Sequence, residues 1–85
     1  MRSTQTTVGT TAVVVVAADN IFRRVYLHHD SNQNVWLGGS NVTSLNGFHF
    51  PKEATMEVSV PANETIYAIS DTADQIVAVL LPDAD

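Results

Sequence analysis

Apolar and polar positions along the chain fall into short runs of strand character separated by turn clusters. Thr10 to Ala18 is dense in β-branched and small apolar residues, and its four valines, Val13 to Val16, predict a strand apolar on both faces. Asp19-Asn20 punctuates it. From Phe22 to His29 the pattern alternates, with Val25, Leu27 and His29 on one face and Arg24, Tyr26 and His28 on the other, as in a half-buried strand. Asp30-Ser31-Asn32-Gln33-Asn34 is a turn cluster, so Val35-Trp36-Leu37 is predicted to return as the hairpin partner of that strand. Gly38-Gly39-Ser40 interrupts the run, which predicts a bulge or the close approach of another backbone. At Ser44-Leu45-Asn46-Gly47 a second reversal is expected, with Asn-Gly supplying positive φ.

Alternation resumes from Ala54 to Val60, where Met56, Val58 and Val60 oppose Glu57 and Ser59, and Pro61-Ala62-Asn63 closes the strand. Glu64 to Ser70 and Gln75 to Leu81 read as two more strands around Asp71-Thr72-Ala73-Asp74, the last apolar on both faces like the first. That likeness suggests that the two pair centrally or lie at a subunit interface. No stretch has helical periodicity. The expectation is an all-β fold, a small antiparallel β-sandwich or barrel of about six to seven short strands. Residues 1–9, rich in Ser, Thr and Gln, read as a flexible N-terminal arm, 10–82 as a single all-β domain and 83–85 as an acidic C-terminal tail.

Composition narrows the function. Nine acidic residues against four basic ones give a net charge of -5, which argues against a nucleic-acid module held by phosphate contacts. Arg2, Arg23, Arg24 and Lys52 all precede Glu53, so the last third of the chain is wholly acidic, an asymmetry that could orient it on a charged partner. A domain of 85 residues buries only about 60 to 65% of the surface its unfolded chain exposes, so support from a partner is expected. With no cysteine, that support cannot be a disulfide, and oligomerisation is the simplest source. The apolar run Ala12 to Ala18 is too short to cross a bilayer or act as a secretion signal, so the chain is expected to be soluble and unprocessed, without membrane partners.

Candidate chemistry is sparse. His28-His29-Asp30 has ligand-type residues, but neighbours on a strand point to opposite faces, so one ion would also need Asp30 or His49, and no metal site is assigned. Ser, His and Asp occur without a nucleophile elbow, phosphate loop or dinucleotide fingerprint, so no catalytic residue, cofactor or enzyme activity is expected. Trp36 is out of phase with Val35 and Leu37, leaving two readings: a two-sided buried strand, or an exposed contact anchor like Tyr26. Arg23 and Arg24 place one guanidinium on each face of their strand, either able to meet a partner carboxylate. Arg23, Arg24, Tyr26 and Trp36 are the candidate partner-binding residues.

The stretch Val35 to Phe48, VWLGGSNVTSLNGF, resembles a pattern of small structural proteins of tailed bacteriophages, chiefly head decoration proteins and domains of head fibres or tails. An aliphatic-aromatic strand meets Gly38, Gly39 and Ser40, then a Val-Thr pair, then Asn46, Gly47 and Phe48; an Arg before the second strand and Glu64 to Ser70 before a final apolar strand extend the likeness. Where similar sequences have a glycine turn after Asn-Gly, this chain has Pro51-Lys52-Glu53. The resemblance implies a non-enzymatic virion protein on the outer surface of the capsid, bound to the major capsid protein and stabilising the shell by bridging its subunits. It also implies a homo-oligomer, with a trimer favoured. The alternative is a tail or fibre module that binds a receptor or carbohydrate.

Overall fold

The computed structural model describes residues 1–82. The acidic tail assigned to 83–85 lies outside the described residues. The fold is all β: β1 (Arg2–Val8), β2 (Val13–Val16), β3 (Arg23–His29), β4 (Val35–Gly38), β5 (Phe48–Phe50), β6 (Thr55–Val60), β7 (Ile66–Ser70) and β8 (Gln75–Leu81). They form two antiparallel four-stranded sheets, ordered β1-β8-β3-β6 (sheet A) and β2-β7-β4-β5 (sheet B). The chain passes from one sheet to the other at every connection except β4–β5, the double-sheet arrangement of a jelly roll.

Eight strands replace the expected six to seven because two carry no readable period. β5 is only three residues long. β1 runs through the segment expected to be a loose arm, pairing in unbroken register with β8 from Arg2↔Leu81 to Val8↔Gln75. Its order comes from backbone ladder bonds and from β-branched Thr4, Thr6 and Thr7, not from an apolar face, so the sequence pattern does not mark it.

The β3–β4 hairpin does not form. β3 is flanked by β6 and β8, and β4 by β5 and β7 in the other sheet. The turn cluster between them is a crossover, stitched to β8 by three bonds: the Asp30 N–H to the Ile76 carbonyl at 2.9 Å, the Gln33 N–H to Gln75 Oε1 at 3.0 Å, and the Ile76 N–H to Ser31 Oγ at 2.9 Å. Likewise β2 and β8, the two strands apolar on both faces, lie in different sheets.

Val25, Leu27 and His29 are buried from β3, as alternation predicts, and meet Val35, Leu37 and Phe50 of sheet B in one core with Val77, Val79 and Val8. In β2 the alternation breaks. A register shift between Val14 and Val16 turns the consecutive Val15 and Val16 both inward and leaves Val14 outside. Backbone φ is positive at Glu53 (62°), Asn63 (66°) and Asp74 (64°), and at no glycine. The Asn46-Gly47 reversal therefore forms without the left-handed conformation expected of it.

Candidate functional site

The four connections β1–β2, β3–β4, β5–β6 and β7–β8 gather at one end of the sandwich, and β2–β3, β4–β5 and β6–β7 at the other. Contacts such as Ser70 N–H to the Gly9 carbonyl at the first end and Asn63 N–H to the Asp19 carbonyl at the second record this grouping. The two ends differ in their exposed apolar side chains, while both carry acids, Asp19 and Glu64 lying at the second. The first carries Asp30, Lys52, Glu53, Asp71 and Asp74 in its loops, with no large exposed hydrophobe. At the second, Ile21 (50% exposed), Phe22 (59%), Leu45 (97%) and Phe48 (65%) face solvent.

Those side chains stand on rigid supports. Thr43 and Asn46 build the β4–β5 turn from their own side chains: Thr43 N–H to Asn46 Oδ1 at 2.7 Å, Leu45 and Asn46 N–H to Thr43 Oγ1 at 3.2 and 3.3 Å, and Asn46 Nδ2 to the Asn41 carbonyl at 3.2 Å. Leu45 is thus held at the tip of a closed turn. The same loop folds back on β4, burying Val42 in space left by two glycines: a Cβ on Gly38 would lie 2.9 Å from Val42 Cγ2, and one on Gly47 2.5 Å from Trp36 Cβ. What approaches Gly38 is the Val42 side chain, not the backbone that was expected there. Gly39 and Ser40 are exposed beside it.

Arg23 holds the adjacent loops. It is 6% exposed; Nη1 donates to the Ala17 carbonyl at 2.8 Å and Nη2 to the Glu64 carbonyl at 3.4 Å. Of the two arginines proposed for partner contact, only Arg24 is at the surface, because β3 turns Arg23 inward. Tyr26 is exposed on the outer face of sheet A, between Leu80 and Glu57. Trp36 is half-buried on the outer face of sheet B, opposite Ile69 and His49, its ring centroid 5.7 Å from that of His49. Its side chain points outward and remains partly covered, so the strand is not fully buried on both faces. Leu45, Ile21 and Phe22 were not among the sequence candidates; the signal for Leu45 and Ile21 was an apolar side chain beside polar turn residues, whereas Phe22 read as the start of a strand.

The histidines do not converge. His28 meets Thr55 Oγ1 at 3.0 Å outside sheet A, His29 is buried, and His49 meets Asn34 Oδ1 at 3.1 Å outside sheet B. Among the described residues no group of three or more His, Cys, Asp or Glu stands together to hold a metal ion. Among these residues no helix is long and apolar enough to cross a membrane.

No family model and no curated protein matches the sequence, and the bacteriophage resemblance has no counterpart in these comparisons. Among solved structures the fold is similar to that of a chain reported under the words "Bacillus endospore appendages form a novel family of disulfide-linked pili", with a TM-score of 0.64 and 16% identity over 96% of this chain and 85% of that one. At that identity the likeness is one of fold, and this chain, having no cysteine, has no means of disulfide linkage.

Proposed function

We propose that this chain is a non-catalytic structural module of a multi-copy assembly at a particle or cell surface, which it joins by burying its apolar end against a protein partner. The supporting observation is the segregation of exposed side chains: Ile21, Phe22, Leu45 and Phe48 at one end, acidic loops at the other. Leu45 carries most weight, since a fully exposed leucine on a self-satisfied turn contributes nothing to the fold and gains from a contact. The finer reading, drawn from the resemblance of Val35 to Phe48, is a decoration protein on the outer surface of a bacteriophage capsid, bound to the major capsid protein. Many copies bridging neighbours would add resistance to shell rupture, because separating the subunits must also break each bridge.

The test is to mix the purified chain with capsids lacking it, sediment them and count bound copies. Saturation at a multiple of the shell symmetry with a raised disruption temperature is expected. A Phe22→Ser, Leu45→Ser double variant should keep its fold and bind at least about tenfold more weakly. Absence of binding by the parent chain removes the capsid reading.

A second reading rests on a different feature. Beside Trp36, Asn34 links His49 to Asp71 through its amide, with Asn34 Nδ2 3.3 Å from Asp71 Oδ2. A half-exposed indole with neutral and acidic hydrogen-bonding groups suits a carbohydrate, and glycan-array binding lost in Trp36→Ala would favour this tail or fibre role.

A further inference from the structure

Sheet A has a free edge at β6, guarded by a single charge, Glu57. The strand Thr55–Val60 contains no Lys, Pro or bulge. Its inward residues Met56 and Val58 are only half-buried, because the sandwich opens on this side into a groove of about 620 Å³ that Leu37, Phe48 and Ile66 also line. The geometry points to a second copy of this chain as the occupant, joined by antiparallel pairing of β6 with β6 about a two-fold axis.

The hydrogen-bonding capacity fits. The His29 N–H donates to the Ala54 carbonyl at 3.0 Å, so by the alternation of antiparallel ladders Met56, Val58 and Val60 turn their backbone groups toward β3. Thr55, Glu57 and Ser59 turn theirs to the free edge. Centring the axis on Val58 sets Val58 against Val58, Met56 against Val60, and Glu57 against Ser59 of the other copy. Glu57 and Ser59 then exchange both ladder bonds, twice over. Thr55 falls opposite Pro61, where its N–H can donate to the Pro61 carbonyl but its own carbonyl meets no donor, so this outer pair makes one bond rather than two.

Charge and packing choose this register over its neighbours. Centring on Glu57 would put two carboxylates directly opposite each other. Shifting by half a step would set inward residues against outward ones. With Val58 at the centre, each Glu57 lies one strand beyond the Ser59 that pairs with Arg24 of the other copy, about 10 Å between backbones and within reach of an extended Arg and Glu. The open grooves of the two copies also meet, extending one apolar core across the axis. This pairing goes beyond the proposed attachment to a shell and does not depend on it.

The test is the mass of the free chain by sedimentation velocity. The parent should be a dimer of about 18 kDa, twice the 9.2 kDa of one chain. In S59P the proline removes an N–H from the free edge alone, so the circular dichroism should be unchanged and the mass halved. V58C should cross-link spontaneously to a disulfide dimer, since non-hydrogen-bonded opposite residues lie within disulfide range, whereas T55C should not. A parent that is monomeric or trimeric, or a dimer that survives S59P, overturns the proposal. Should S59P fold poorly, equal cross-linking of V58C and T55C overturns it instead.

Discussion

The imidazole of His29 ties the two sheets together: its Nδ1 lies 3.0 Å from the carbonyl oxygen of Phe50, and the two rings are 5.7 Å apart. A carbonyl only accepts, so Nδ1 is the donor, and Nε2 is buried in the core without a hydrogen-bond partner there. His29→Ala opens a cavity and orphans the Phe50 carbonyl, and should lower stability by about 3 kcal/mol in urea unfolding. A loss below about 1 kcal/mol would mean that the sheets are held without this bond.

The three glycines around the β4–β5 loop should differ in their tolerance of alanine. At Gly47 the new methyl meets Trp36 Cβ at 2.5 Å and the Thr43 backbone oxygen at 2.8 Å, neither free to move, and about 3 kcal/mol should be lost with a shift in Trp36 fluorescence. Gly38→Ala presses only on the Val42 side chain and should cost about 1 to 2 kcal/mol. Gly39→Ala meets only Asn41 Oδ1 at 3.5 Å and should stay within about 0.5 kcal/mol of the parent. A reversed order would show that the loop does not pack as described.

The neighbouring arginines should separate stability from contact. Arg23→Ala releases the Ala17 and Glu64 carbonyls and should cost about 2 to 3 kcal/mol. Arg23→Lys should recover little, since an ammonium lacks the planar fork that reaches both loops. Arg24→Ala, exposed on sheet A, should change stability by no more than about 0.5 kcal/mol and should weaken self-association instead. Thermal melts of the three variants decide the matter.

Glu53 occupies the left-handed region at φ 62°, where a residue with a Cβ is strained. Glu53→Gly should raise stability by about 0.5 to 1 kcal/mol, the relief of Cβ strain exceeding the added freedom of the unfolded chain. Asn63→Gly, at φ 66°, should be near neutral because Asn tolerates that conformation. Equal effects at both sites would remove strain as the explanation.

Much of the fold is legible in the sequence because β-sandwich faces impose a period of two. The rows Val25, Leu27, His29 and Met56, Val58, Val60 could be read directly. What escaped was pairing between distant segments. Nothing local distinguishes a crossover at Asp30 to Asn34 from a hairpin, and β1 shows its order only when β8 lies beside it. The site is legible in part. Tyr26, Trp36 and Arg24 follow from strand phase, whereas Arg23 is drawn inward by carbonyls of two loops that the sequence does not show meeting. Leu45 was hidden because an apolar residue in a turn has no periodic partners to mark it, and Phe22 because it reads as the first residue of an alternating strand that starts only at Arg23.

The register Arg2↔Leu81 has a kinetic side. The first of the described strands is completed by the last, so the loop that closes sheet A spans the six strands between them, and such distant closure slows folding. β1 must wait, unpaired, until β8 is made. Until then β3 lacks one neighbour and its row of Val25, Leu27 and His29 has no complete sheet to belong to, so the chain is most exposed to mispairing during its own synthesis.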